Sequence, residues 1–337
     1  MENLVSIILL NYNNNNFTID CLESLTKQTY RNFEVIVIDN GSKYSTYLKL
    51  KEKIETFSNK LDIKLIKSKY NLYYAGGNNK GMKLAKGEYF CLLNNDTEVR
   101  EDFLEKTINF LKNNPKVGML CPKITYFDKK DYIWYAGAYL NPRSIYFCYH
   151  IGVGKKDKGE YNKIEETAYA NGAALFTSRD VVEEIGLLDD IFFIYAEETD
   201  WNYRAKKKGY KVIYFPETLV YHKVDRVTNR FSGLREKTNK MYLYNRNKII
   251  LMLKNFNITN IVFFFLGYYL KTLVMDALYS FKKNRIDYFI AQIRALIMGF
   301  LIGIKRRTNR KCKKLMMREF NFIQHVQKKT LELNRKR

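Results

Sequence analysis

A chain of 337 residues, 46% of them hydrophobic, is long enough to bury one large core or two smaller ones, which excludes a disordered or fibrous protein. Its formal net charge of +23 is uneven: residues 240–337 hold 22 Lys and Arg against 4 acids, which leaves only +5 for residues 1–239. Five scattered cysteines (Cys21, Cys91, Cys121, Cys148, Cys312) with no CxxC spacing argue against a disulfide framework or zinc site, and suit the reduced thiols of a cytosolic protein.

The first apolar stretch, VSIILL (5–10), follows an acid and is too short for a signal peptide or a membrane span. It and FEVIVID (33–39) are near-continuous β-branched runs, the pattern of parallel strands covered on both faces. Between them Ile19, Leu22 and Leu25 recur at helical spacing; after them Tyr47, Leu50, Ile54 and Phe57 do so again. Residues 63–66 read as a third strand, 78–85 as a helix, and 89–93 as a strand that runs into Asn94, Asn95 and Asp96. Leu104, Ile108 and Leu111 share one face of a helix over 102–111, and 117–121 form another strand. Strand and helix alternating five times predict an α/β fold with a doubly wound, mostly parallel sheet.

Ligands of such sheets sit beyond the carboxyl ends of the strands. Asp96 lies one or two residues past such an end, where it either faces the ligand or caps the helix that follows. The loops 11–16, 39–42 (Asp-Asn-Gly-Ser) and 71–81 follow the other strands. Neither GxGxxG nor a Walker lysine is present, which argues against a dinucleotide fold or a P-loop enzyme. The run Ala75-Gly76-Gly77-Asn78-Asn79 either brings bare backbone to a ligand or makes a tight turn that opens the next helix.

Beyond residue 121 the aromatic and β-branched segment 132–151, centred on Asn141-Pro142-Arg143-Ser144, reads as a hairpin, and a Gly/Lys-rich stretch to residue 163 as a loop. Residues 173–177 read as a strand and 179–185 as a helix. The apolar segment 192–195 then leads into Glu197, Glu198 and Asp200. A helix beginning at Glu198 pairs Asp200 with Arg204 at i,i+4. Acids at a helix amino terminus are common in any protein. Delivered by a buried segment, though, carboxylates hold protons more tightly and suit general-base work.

Taken together, VSIILLNYN (5–13), VIVIDNGS (35–42), NLYYAGGNNKG (71–81), LLNNDTEV (92–99), the block 171–210 and VYH (220–222) resemble, in order, a family 2 glycosyltransferase of the GT-A fold, particularly its rhamnosyltransferase-like branch. The resemblance covers roughly residues 3–255. It implies that the backbone at Asn11 and Tyr12 and the carboxylate of Asp39 hold the nucleotide base. By the same resemblance Asn71 and a Gly76-Gly77 turn line the nucleotide and diphosphate, with Asn79 supporting that loop. Asp96 matches the last acid of the family's DxD-type motif, whose earlier positions here are Asn94 and Asn95, and His222 matches a histidine that often completes the metal site. The implied cation is Mg²⁺ or Mn²⁺, since a hard cation neutralises a leaving diphosphate and an imidazole ligand tilts the choice towards Mn²⁺. Glu198 falls where the family keeps its catalytic base, Glu197 would orient the acceptor, and Asp200 would be structural. The implied activity is inverting transfer of a sugar, rhamnose from dTDP-rhamnose first, to a glycan or lipid-linked acceptor in cell-surface polysaccharide synthesis. A nucleotidyltransferase or a catalytically silent module on the same core stays an alternative, although the Asn-rich loop after the first strand argues against the former.

Two domains are expected, a catalytic one over 1–240 and a helical, basic one over 241–337. Residues 261–281 are 21 long and apolar but carry Lys271 and Asp276. Residues 288–304 carry Gln292 and Arg294. At ~2.5–3.5 kcal/mol for each charge in a bilayer centre, spanning is disfavoured. With RRTNRKCKK (306–314) these helices read as a peripheral anchor on the anionic inner face of the cell membrane, or else as a soluble helical subdomain or homo-oligomer interface. Positive charge beside apolar helices, with no aromatic-lined groove, argues against nucleic acid.

Overall fold

The computed structural model describes residues 3–144, 146–224, 234–308 and 315–324, so two thirds of the basic run 306–314, residues 309–314, lie outside the described residues. Two compact units emerge. The first comprises Met1–Tyr139, His150–Phe193 and Glu197–Asp225; the second comprises Leu140–Tyr149, Ile194–Ala196 and Arg226–Arg337.

In the first unit β1 (Val5–Asn11), α1 (Asn15–Thr26), β2 (Phe33–Asp39), α2 (Tyr44–Glu55), β3 (Asp62–Lys67), α3 (Tyr73–Leu84) and β4 (Tyr89–Asn94) alternate as the periodicity requires. Then follow β5 (Thr97–Val99), α4 (Phe103–Asn113), β6 (Val117–Tyr126), β7 (Ile133–Tyr135), β8 (Ala138–Leu140), β9 (Cys148–His150), β10 (Glu165–Glu166), β11 (Ala174–Ser178), α5 (Arg179–Ile185), α6 (Glu197–Lys207) and β12 (Lys211–His222), of which Leu140 in β8 and Cys148 and Tyr149 in β9 belong to the second unit. The main sheet runs β10-β12-β6-β11-β4-β1-β2-β3, with β5 on β12 and β7 on β6. Pairs β1/β2, β1/β4, β2/β3 and β6/β12 are parallel, while β11 is inserted antiparallel between β4 and β6. β1 and β2 are buried nearly throughout, whereas β3, at the edge, alternates exposed and half-buried residues.

Helix α3 departs from expectation. It begins five residues before 78, so Gly76 and Gly77 lie inside it and form no turn. A Cβ on Gly77 would stand 2.9 Å from a Leu10 methyl, and one on Gly81 would stand 2.4 Å from Ile8. The glycines let the helix backbone lie directly on β1, and this packing outweighs their poor helix propensity. The chain enters α3 through Tyr73 at φ 57°, whose N–H is caught by the Asn71 side chain (2.8 Å).

In the second unit, α7 (Leu234–Asn255) runs unbroken through residue 240, the expected domain boundary. The Asn141-Pro142-Arg143-Ser144 turn is formed, with Asn141 N–H donating to Phe147 O (2.8 Å). α8 spans Ile258–Lys282 with a π-helical stretch at Phe264–Tyr269, and α9 spans Ile286–Arg307. Gly299 and Gly303 of α9 admit Ile249 and Leu253 of α7 at distances of 2.9 and 2.8 Å from where a Cβ would be. Glu319, 1% exposed, accepts from Tyr242 and Arg294 (2.8 Å) and lies 3.7 Å from the buried Arg246.

Candidate active site

Register brings the strand ends together. Asn11 pairs with Asp39 across β1/β2, and Leu10 with Asn94 across β1/β4, so the nucleotide candidates share the carboxyl edge of the sheet. There a chain of hydrogen bonds forms. Asn95 donates to Thr18 (2.9 Å), Thr18 donates to Asn11 (2.9 Å), and Asn11 donates to Asp39 (3.1 Å), which also accepts from Ser42 N–H (3.1 Å). Asp39 and Asn11 are fully buried. The Asn11 side chain is thus spent on holding Asp39, and its carbonyl accepts from Asn40 N–H (2.7 Å). Tyr12 hydrogen-bonds Asn71; burial raises the phenol's pKa and that bond partly offsets the rise.

The second cluster follows from β12. His222 pairs with Thr97 of β5, which places its ring beside the preceding residue, and Nε2 lies 3.1 Å from Asp96 Oδ1. Lys223 N–H holds the Asp96 carbonyl (2.9 Å), and its ammonium bridges Asp20 and Glu98 at 2.6 Å each. Burial works against the ionised Asp96 carboxyl, but His222 and Lys223 outweigh it and hold its pKa below the usual range. Nδ1 of His222, a residue only 6% exposed, is buried without a hydrogen-bond partner among the described residues.

The third cluster opens α6, which starts at Glu197, one residue earlier than expected. Glu197 is 3% exposed and Glu198 half-buried, and each carries an Oε2 that is buried with no hydrogen-bond partner among the described residues. Burial raises the pKa of both; the neighbouring Glu198 charge adds to the rise at Glu197. Both carboxylates act on the buried Tyr74 phenol. Asp200 pairs with Arg204 at 3.0 Å as the i,i+4 spacing predicts, and Arg204 reaches on to the carbonyls of Ile185 and Leu187. Asn79 does not support the glycine run: it clasps Leu188 through both N–H and carbonyl (3.1 and 2.9 Å) and donates to Asp190 (2.6 Å), pinning the loop ahead of α6.

The chain as a whole is similar to known proteins. The profile described as "Glycosyl transferase family 2" matches residues 6–186, more than half of the chain. The chain belongs to glycosyl transferase family 2. One relative of this family 2 transferase, the amylovoran biosynthesis glycosyltransferase AmsB of Erwinia amylovora, is 26% identical over 242 residues, 71% of this chain and 76% of that one. Another, a low-salt glycan biosynthesis hexosyltransferase of Haloferax volcanii, is 24% identical over 316 residues, 91% and 92% of the two chains. In structure the chain is similar to the mannosyltransferase PcManGT of Pyrobaculum calidifontis, solved with GDP-Man and Mn²⁺: TM-score 0.52, 16% identity, 91% of this chain and 88% of that one. The fold is GT-A, as the motifs imply.

Asp96 and His222 fit a divalent cation in part. The described residues contain no group of three or more His, Cys, Asp or Glu able to hold a metal alone. An ionised carboxylate beside an imidazole with an unsatisfied buried nitrogen is nevertheless a donor pair, adequate for a hard cation that takes its other ligands from phosphate and water.

Two contributors to this family 2 site escape sequence reasoning. Trp134 stands edge-on to His222 (ring centroids 4.4 Å apart, 86°) and to His150 (4.9 Å, 71°), and Asn171 lies 3.1 Å from His150 Nε2. Burial lowers the His150 pKa to about 4, keeping that ring neutral. Asn40 holds both sides of the α3 entry, accepting from Leu72 N–H (2.8 Å) and donating to Tyr73 O (3.0 Å). Only the aromatic richness of 132–151 and the place of Asn40 in VIVIDNGS signalled them.

Proposed function

We propose that this chain is an inverting, metal-dependent hexosyltransferase that moves a sugar from a nucleoside diphosphate donor to a hydroxyl of a glycan or lipid-linked acceptor. The observation that carries the reading is the pair Glu197 and Glu198, buried acids with unsatisfied oxygens, in the same unit as the Asp96–His222 pair. Glu198 is the more accessible of the two and takes the acceptor's proton as its oxygen bonds to the anomeric carbon. The carbon–oxygen bond to the diphosphate breaks on the opposite face, its electrons leaving with the nucleotide, so configuration inverts. Glu197 orients the acceptor hydroxyl. Asp39, with the backbone of Asn11 and Tyr12, holds the base; Asn71 and Asn95 face the ribose and diphosphate, while Gly76 and Gly77 lie inside α3, Gly77 against Leu10. Bound at Asp96 and His222, Mn²⁺ or Mg²⁺ would neutralise charge developing on the leaving diphosphate.

The AGGNN and LLNND motifs favour dTDP-rhamnose as donor, the relatives' names favour a place in polysaccharide or glycan biosynthesis, and the apolar, basic carboxyl-terminal helices favour the cytoplasmic face of the membrane. Binding and slow hydrolysis of UDP-, GDP- and dTDP-sugars, with Mn²⁺, Mg²⁺ or EDTA, test the reading. One preferred donor, lost with EDTA, is expected; a folded protein that binds none would leave a silent GT-A scaffold.

A further inference from the structure

We infer that α8 and α9 form an in-plane hairpin that docks on an anionic phospholipid surface. The inference rests on the reading of a membrane-side transferase and names the surface that would carry it. All of the observations belong to the second unit.

α9 has two faces. Gln292, Ala295, Gly299, Ile302 and Gly303 are buried, with the glycines against α7. Ile290, Ile293, Ile297, Leu301 and Ile304, at the same helical spacing, are exposed. In α8 the stripe Val262, Leu266, Leu270, Val274 and Leu278 is exposed at every fourth residue, Leu266 by 69%. Only 17% of the apolar window of α8 and 28% of that of α9 are buried, so most of their apolar length faces outward, where a water-soluble helix carries polar residues. Two polar groups of α9 turn inward instead: Gln292 donates to Asp276, and Arg294 pairs with Glu319 and lies over Phe322. A groove of about 360 Å³ lined by Phe289, Ile290, Ile293, Ile297 and Met298 opens on the outer side, with Arg294 at its wall.

Charge selects the occupant. Lys282 and Lys283 stand at the turn between the helices, where Arg285 is paired with Asp287 (2.7 Å), and Lys305 and Arg306 close α9, while Arg307 binds the carbonyls of Leu253 and Phe256; the sequence continues with Arg310, Lys311, Lys313 and Lys314. The hairpin thus offers an apolar floor with cations at both ends, complementary to acyl chains beneath a phosphate layer, each cation near such a surface strengthening binding roughly fivefold. Both helices are long enough to cross a bilayer, but exposed Lys271 sits midway along the outer side of α8, where a helix in the interface plane can lift its ammonium to the headgroups and a spanning one cannot.

The test is sedimentation of the full chain with phosphatidylcholine vesicles, with and without 30% phosphatidylglycerol, followed by carbonate extraction. Anionic lipid should raise partitioning at least about tenfold, 0.5 M salt should reverse it, and carbonate should release the protein. Leu266→Glu with Ile297→Glu should lose the binding while the melting temperature and nucleotide-sugar binding stay at wild-type levels. Equal binding to neutral vesicles, carbonate-resistant insertion, or a lipid-free dimer that the same substitutions dissociate would each overturn the hairpin docking. Lipid binding without donor turnover would leave the docking intact and remove the transferase; turnover indifferent to lipid, with no vesicle binding, would do the reverse.

Discussion

Glu197 and Glu198 are held where water would otherwise stabilise their charge, and both pKa values lie above the ordinary carboxylate range. The folded chain therefore binds protons that the unfolded chain has released. Their contribution to stability is fully present below the unfolded value near about 4.3, and is lost as pH rises through the raised folded value. Glu197→Gln removes the penalty, so its melting temperature should match wild type at pH 4 and exceed it by about 2–4 °C at pH 8, the shift expected for ~1 kcal/mol. Melts across that range that run parallel would mean that Glu197 ionises freely. Activity runs the other way, since the base must be ionised: turnover should climb with pH along an acid limb displaced above the ordinary carboxylate range. Glu198→Gln should cost about 10²–10⁴ in kcat, with donor affinity kept. Trp134 packs edge-on against His222, and under the proposed function it would act on the cation through that ring. Trp134→Ala should weaken Mn²⁺ binding, read by calorimetry, about 10-fold, and Trp134→Phe should restore most of it.

Helix α3 and the loop ahead of α6 are joined by the Asn79 side chain, which satisfies both backbone groups of Leu188, and by the bond from Ala75 N–H to Phe193 O (3.0 Å). Asn79→Ala strands a buried N–H and should lower stability by about 1–3 kcal/mol. Because that loop precedes α6, kcat should fall further than donor affinity does; equal losses in both would tie Asn79 to the nucleotide instead. Elements of this kind were unevenly legible. β2 (Phe33–Asp39) and α5 (Arg179–Ile185) fall where the apolar pattern sets them, since each is decided by its own residues. The start of α3 was hidden because Gly76-Gly77 reads locally as a turn, and only the nearness of Leu10 and Ile8 makes it a helix. β5 was missed because three residues carry no period, and Trp134 because its partners, His150 and His222, come from distant strands. Asp96, Glu197 and His222, by contrast, sit in motifs that name a family before any geometry is known.

At the scale of the whole chain, the second unit has a charged interior. Glu319 answers both Arg294 and the fully buried Arg246, so Glu319→Gln should destabilise the helices by about 3–5 kcal/mol, whereas replacing Arg246 and Glu319 together by Met and Leu should be near neutral. Circular dichroism melts of the single and double variants check both. The first unit raises a question of timing, because its sheet is not assembled in the order of its synthesis. β4 is complete at residue 94, yet the strand that covers its outer edge, β11, begins at residue 174. At about 5–20 residues per second, the nascent β3-β2-β1-β4 half-sheet waits for roughly 4–16 s with a row of unpaired backbone N–H and C=O groups open to any passing strand. A ribosome that pauses between β6 and β11 therefore releases this chain in its most adhesive form, and a fragment ending at residue 173 should depend on holdase chaperones to stay in solution while the full chain does not.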